Sequence, residues 1–345
     1  MRSAEFWQRL LAAELAPAKN RVLLEELGSF ASDPLDFLAA HSLLTDAEKR
    51  RMQAADMAPL AKALKEDVGV LEYDDYPELL LESGNMPAAL FVKGNPACLY
   101  QPVVAIVGTR SASTYGKACA YKFAQALAKA GVTVISGGAL GIDAAAHKGA
   151  LEAGAKTAAI LATGVDTVYP PVHHHLFQQI AASGCLVSQF AVGSKLADYK
   201  FLIRNVLVAA LSSAVLVIEA PARSGAISTA TAANEMGREV FVVPANIDHF
   251  GFQGSFALLR DGATLVNHPD QILESLQITP EQPDEFDEAS DFGKLILAAL
   301  TSEPVSTEQI VEKSGLDTSD VLSELTVLEL EGRVIRGPSG YALTP

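Results

Sequence analysis

Val103-Val104-Ala105-Ile106-Val107-Gly108-Thr109-Arg110-Ser111-Ala112-Ser113-Thr114-Tyr115-Gly116 decides the fold of this chain. Five apolar, mostly β-branched residues in a row leave no polar face, the pattern of a strand covered on both sides inside a parallel sheet. Gly108 ends the run. A Ser/Thr-rich turn then leads into a helix with apolar positions at Ala120, Phe123, Ala124, Leu127 and Ala128. A strand that enters a helix through such a turn aims backbone N–H groups and the positive end of a helix dipole outward, which suits an anion. Arg110 adds a charged, bidentate donor at that mouth. Neither Gly-x-Gly-x-x-Gly nor Gly-x-x-x-x-Gly-Lys-Ser/Thr occurs, which argues against a nicotinamide dinucleotide and against ATP hydrolysis.

Outward from this stretch, apolar runs at 103–107, 132–135, 156–161, 186–188, 215–219, 240–243 and 264–266 alternate with helical segments. This predicts an α/β domain, a doubly wound Rossmann-like parallel sheet whose ligands gather beyond the carboxyl ends of its strands. Three loops there carry chemistry. The first holds Gly108, Thr109, Arg110 and Ser113. The second reads Ser136-Gly137-Gly138-Ala139-Leu140-Gly141-Ile142-Asp143, with Asp143 expected to cap a helix that carries His147. The third contains Glu219, Ser224 and Gly225. Lys200, Phe201, Arg204 and Asn205 open a further helix, and cations beside a ring are the pairing that meets phosphates and bases of a single strand.

The flanks differ from this middle. Residues 1–66 read as an N-terminal helical domain of the SAM or helix-hairpin-helix kind, with helices at 5–15, 18–27, 34–40 and 46–64 and Thr45 as an N-cap. Its acidity suits packing or a partner contact better than a duplex. The extended Rossmann-like domain covers 67–276 and includes an edge strand near 90–95. An acidic linker spans 277–290, and 291–345 has the pattern of a winged helix-turn-helix domain. The reading helix of that domain presents Thr318, Ser319, Asp320, Ser323, Glu324 and Glu329 and no Lys or Arg. A groove reader needs cations, so a protein contact or a vestigial role is expected there.

The net charge of −15 is unevenly spread. Lys plus Arg against Asp plus Glu counts 10 to 16 over 1–99, 12 to 11 over 100–275 and 4 to 14 over 276–345. The middle is therefore neutral enough to hold a basic pocket. Cys98, Cys119 and Cys185 fit reduced core thiols, and His173-His174-His175 lacks the surroundings of a metal site. No 18-residue apolar run or signal-peptide core is present, which predicts a soluble, cytoplasmic protein away from membranes.

Taken together, these motifs resemble the DNA-processing protein A family (DprA, also called Smf). The matching stretches are Tyr76-Pro77, Leu90 to Asn95, Ala105 to Arg110 with Ser113 and Tyr115-Gly116, and Ser136-Gly137 through Asp143 to Ala146-His147. Tyr169-Pro170, Arg204-Asn205, Ser224-Gly225, Gly237 to Pro244 and Gly262-Ala263 continue the pattern. The resemblance implies a non-catalytic, cofactor-free protein of natural transformation. Such a protein binds incoming single-stranded DNA, helps load a RecA-type recombinase and works as a homodimer. It also implies a basic pocket built from Arg110, the Ser-Gly loop, Lys200, Phe201, Arg204 and Asn205. The chain departs from the family pattern at Leu140 and Val206, where arginines are expected, and at Ala245. The implied dimer contact falls on Phe250, Phe252 and Leu259. Two other readings stay open: a small-nucleotide binder or phosphoribohydrolase-like protein, with Glu219 as its one candidate carboxylate, and a degenerate scaffold that binds no DNA.

Overall fold

The computed structural model describes residues 2–28, 35–84, 86–279, 290–301, 304–330, 333–337 and 340–343, so most of the expected linker lies outside the described residues. The chain forms two compact units, Met1–Glu281 and Gln282–Pro345.

The first unit opens with helices α1 (Ala4–Ala12), α2 (Pro17–Leu27), α3 (Leu35–Ala40), α4 (Asp46–Gln53) and α5 (Ala58–Ala63). The single helix expected over 46–64 is two. Pro59 sits in the first turn of α5, and a proline deeper in a helix would clash with the carbonyl four residues back. Asp56 Oδ1 instead accepts the Ala58 N–H at 2.9 Å. Thr45 does cap α4, in a reciprocal capping box with Glu48. These helices have no core of their own. Phe6, Trp7, Leu10, Leu23 and Leu60 bury against Phe91, Phe177 and Leu186 of the sheet layer. Gln8 seals the contact, with its amide donating to Val192 O and its carbonyl accepting Val192 N, both at 2.8 Å.

Strands β1 (Val68–Leu71) and β2 (Leu90–Gly94), with α6 (Glu78–Glu82) between them, lead into the alternating part. That part runs β3 (Val103–Val107), α7 (Thr114–Lys129), β4 (Thr133–Ser136), α8 (Ile142–Glu152), β5 (Thr157–Ile160), α9 (His174–Ser183) and β6 (Cys185–Ser188). It continues with α10 (Asp198–Ala210), β7 (Ala214–Val217), α11 (Gly225–Glu235), β8 (Glu239–Val242), α12 (Gln253–Arg260), β9 (Thr264–Leu265) and α13 (Asp270–Ser275). The nine strands order as β1-β2-β6-β5-β4-β3-β7-β8-β9. From β6 to β9 every pairing is parallel, while β2 runs antiparallel to both neighbours. Leu90 to Gly94 is thus interior rather than an edge strand. Its side chains Leu90, Phe91 and Val92 are buried, and the edge belongs to Val68–Leu71. All five residues of β3 are buried, as its composition demands.

β3 lies between β4 and β7, with Ala105 opposite both Ile135 and Val215. Strand order reverses at this point, and the crevice opens beyond its carboxyl end. The second unit contains α14 (Asp291–Ala299), α15 (Thr307–Ser314), α16 (Thr318–Leu330) and the antiparallel wing β10 (Val334–Gly337) and β11 (Gly340–Leu343). Ile296, Ile310, Val321, Leu325, Leu328 and Tyr341 form its core.

Candidate nucleic-acid interface

At the β3–β7 crevice the structure opens a cavity of about 330 Å³. Gly108, Thr109, Arg110, Gly137, Phe201, Arg204, Asn205, Ser224 and Gly225 line it, drawn from three loops and α10. A slot of about 40 Å³ adjoins it, walled by Leu140, Leu161, Tyr169 and Pro170 and sharing Arg110, Phe201 and Arg204 with the main cavity.

Arg204 is the anchor. Only 6% of it is exposed, and its Nη1 donates to Gly137 O at 2.5 Å and Ile160 O at 2.8 Å while Nε donates to Asn205 Oδ1 at 3.2 Å. Among the described residues no carboxylate comes within ion-pair distance of it. Burial pulls its pKa below the ordinary guanidinium value, opposed by the charge of Asp143 and reinforced to a lesser degree by Arg110. Arg110 is exposed and lies over the Phe201 ring, 4.5 Å from guanidinium carbon to centroid. Arg204 is 6.0 Å from the same centroid, and the Tyr169 ring also stands 6.0 Å away. Two guanidinium groups, one exposed and one buried, therefore lie within cation–π reach of one ring.

The loops work differently from what their composition suggests. Asp143 does not cap α8. Its Oδ2 turns back to accept Gly137 N at 3.1 Å and Ala139 N at 3.2 Å, filling the nest expected for an outside anion. Burial raises the pKa of Asp143, opposed by the charge of Arg204 and by the backbone hydrogen bonds of Ala139 and Gly137. Glu219 plays the same part for the first loop: its Oε2 accepts Ser113 N at 2.9 Å and Ser113 Oγ at 2.7 Å, and its carbonyl accepts Thr109 N at 2.7 Å. Gly137 lies so close to Arg204 that any Cβ there would meet the guanidinium. Gly141 has a φ of 78° and packs on the carbonyls of Thr109 and Arg110, so glycine is required on both counts.

Several expected site residues stand elsewhere. Ser136 is buried and donates to Ile106 O at 2.6 Å; Ser113 caps α7; Gly138 and Gly141 shape the second loop behind the cavity wall. Lys200 is a clear correction. It is 4% exposed, it points away from the cavity, and its ammonium is paired with Glu14 at 2.9 Å. α10 turns one face to the crevice and the other to the N-terminal helices, and Lys200 is on the second. Val206 packs on the sheet core and lines neither cavity, whereas Leu140 is 44% exposed at the slot. Phe252, expected at a dimer contact, is fully buried against His249 and Tyr115; Leu259 is half-buried and Phe250 is 74% exposed.

His147 is fully buried, and burial pushes its pKa down to about 3. Thr157 Oγ1 donates to Val134 O at 2.6 Å, so His147 Nδ1, 2.8 Å from that oxygen, must donate to it. The neutral ring is a buried core element and lines neither cavity. Arg223, Asp198 and Leu202 also line the cavity. Arg223 was within reach of the sequence, since it lies in the Gly/Ser loop after β7, while no local pattern distinguishes Asp198 or Leu202.

Comparison with known proteins settles the family. A model described as DNA recombination-mediator protein A matches residues 68–277, and the DprA winged helix domain matches 279–340. The chain belongs to the DprA family. Protein Smf of Escherichia coli (strain K12) is 38% identical over 278 residues, covering 77% of this chain and 74% of its own length. A putative DNA processing protein DprA of Mycobacterium tuberculosis (strain H37Rv) is 37% identical over 279 residues, covering 75% of this chain and 72% of its own. The solved DprA of Streptococcus pneumoniae aligns with a TM-score of 0.68 at 30% identity, over 79% of this chain and 98% of that one. DNA processing protein A from Helicobacter pylori, solved to explain its single-stranded DNA binding mode, aligns with a TM-score of 0.56 at 31% identity, over 61% of this chain and 95% of that one. This family supplies the fold expected from the sequence, a Rossmann-like sheet with a C-terminal winged helix. Among the described residues, no helix is long and apolar enough to cross a membrane.

Proposed function

We propose that this chain is a single-stranded DNA-binding recombination mediator that takes a strand at the β3–β7 crevice, with Arg110, Arg204 and Arg223 meeting phosphates and Phe201 meeting a base. Arg204 carries the reading. A desolvated guanidinium without a carboxylate in ion-pair range is costly unless an anion completes it, and this one forms the wall of an open cavity. The stacked ring beside it fits a base of any sequence. The Helicobacter pylori relative supports the ligand class. Glu219 favours binding over hydrolysis, because its carboxylate holds Ser113 and does not line the cavity.

Titration of a fluorescent oligo-dT against salt tests this. Two to three neutralised phosphates give a log–log slope of roughly 1.5–2. A salt-independent isotherm, or tighter binding of free mononucleotides than of the oligomer, would overturn it.

From family membership we extend the reading to a homodimer that passes its strand to a RecA-type recombinase. Ile247 (95% exposed) and Phe250 support a contact after β8. Phe250→Asp should give a folded monomer by sedimentation. Phe252→Asp should instead unfold the chain, since burying a charge in place of a core ring costs at least ~3–5 kcal/mol. A monomeric unmodified protein at high concentration would refute the dimer.

A further inference from the structure

Lys200 and Tyr199 converge on one carboxylate. Lys200 Nζ lies 2.9 Å from Glu14 Oε1, and Tyr199 Oη donates to Glu14 Oε2 at 2.5 Å. The same ammonium also donates to Ser194 Oγ at 2.5 Å and to Lys195 O at 3.1 Å, and sits 5.0 Å from the Phe190 centroid. Glu14 is in turn fixed. It follows α1 with a left-handed φ of 51°, and Arg51 of α4 holds the preceding carbonyl, Ala13 O, through Nε at 3.0 Å and Nη2 at 2.7 Å. Burial pushes the Glu14 pKa up, but the hydrogen bonds of Tyr199 and Lys200 and the charges of Lys200 and Arg51 outweigh it and bring it below the ordinary carboxylate value. Glu14 is therefore held as the carboxylate at neutral pH.

Two further observations give this clasp a purpose. The end of α10 that it holds has no side-chain cap, because Ala197 occupies the N-cap position. The first-turn N–H groups of a helix have no intrahelical partner, and an uncapped end frays. That first turn carries Asp198 and Phe201 to the cavity, with Arg204 one turn further on. Packing also leaves a gap beside this turn. A cleft of about 120 Å³ lies under the clasp, lined by Leu10, Leu11, Leu15, Tyr199 and Ile203. Where side chains leave such a gap, dispersion contacts are lost and the polar link bears the connection.

We propose that Glu14 is a positioning residue for the nucleic-acid cavity: through Lys200 and Tyr199 it pins the uncapped start of α10 and so sets Phe201 and Arg204 for the strand. Lys200 acts through Glu14 and touches no phosphate. This inference rests on the binding reading above, and it makes the N-terminal helices part of the binding machinery without contacting DNA.

The test uses the full chain with oligo-dT over a range of salt, and amide hydrogen exchange without DNA. Glu14→Gln and Lys200→Met should each weaken binding about threefold to tenfold, with the double variant no worse than the weaker single one. The salt slope should match that of the unmodified protein, and Lys200→Arg, which keeps the ion pair, should restore affinity. Exchange should quicken at 198–202 in Glu14→Gln and stay unchanged over the rest of α10. A slope reduced by about 0.7 in Lys200→Met with normal binding by Glu14→Gln would make Lys200 a direct phosphate ligand and overturn the proposal. Tighter binding with a steeper slope in Glu14→Gln would also overturn it, as would unchanged affinity in both single variants. If the unmodified protein ignores the oligonucleotide, the binding reading fails and this inference with it. Normal binding with unaltered exchange at 198–202 removes the positioning role alone.

Discussion

The cavity beside β3 and the outward face of α16, in the unit that matches the DprA winged helix domain, are built oppositely. The crevice gathers Arg110, Arg204 and Arg223, the first two against one aromatic ring, with Asp143 and Asp198 in the same lining. The outward face of α16 shows Thr318, Ser319, Ser323 and Glu329, with Asp320 and Glu324 half-buried and no cation along the helix. Glu324 accepts a hydrogen bond from Ser290 Oγ at 2.5 Å, so one of its acids serves the unit's own packing. Net charge therefore says little about where a polyanion can bind. Coulomb energy depends on local distance and on desolvation, so the charges that line the cavity weigh more on a ligand there than the chain total of −15.

Removing Arg204 is the strongest way to break this contrast. Arg204→Met should weaken single-strand binding by about 10- to 150-fold, the ~1.5–3 kcal/mol range of a hydrogen bond to a charged group. Arg204→Lys should fall between, because it keeps the charge and loses the fork that reaches Gly137 O and Ile160 O. A folded Arg204→Met protein with unchanged affinity would mean that the crevice is not the site.

A smaller effect sharpens the contrast inside the crevice. Leu140 is exposed at the slot beside Arg110, so Leu140→Arg should tighten binding about fivefold, near 1 kcal/mol. Val206 packs on the sheet core, so Val206→Arg should lower the melting temperature and gain nothing in affinity. Equal gains at both positions in the titration would contradict the placement of α10.

The smallest change is expected from the other side of the comparison. A chain ending at residue 281 lacks the winged-helix unit, and its affinity should stay within about twofold of the full chain or rise slightly as acidic repulsion is removed. A marked loss on the same assay would assign Arg333 and Arg336 a direct part in binding.

The sequence by itself determined the layers and the strand ends at which the cavity opens. Val103–Val107 has no polar face, so it could only be a strand buried on both sides, and period and punctuation placed its parallel neighbours to within a residue or two. The glycine positions of the second loop were equally legible, because a positive φ and a close backbone approach leave no other choice. Tertiary structure decided which donors remain for a ligand. Asp143 and Glu219 fill the loop nests, and Lys200 turns to Glu14, since each polar group takes the nearest partner the fold offers and that partner lies 4 to 186 residues away. The interior position of β2 and the shared core of the N-terminal helices were settled in the same way. Local pattern fixes which face of an element is apolar, whereas the neighbour it packs against depends on long-range pairing that no short window contains.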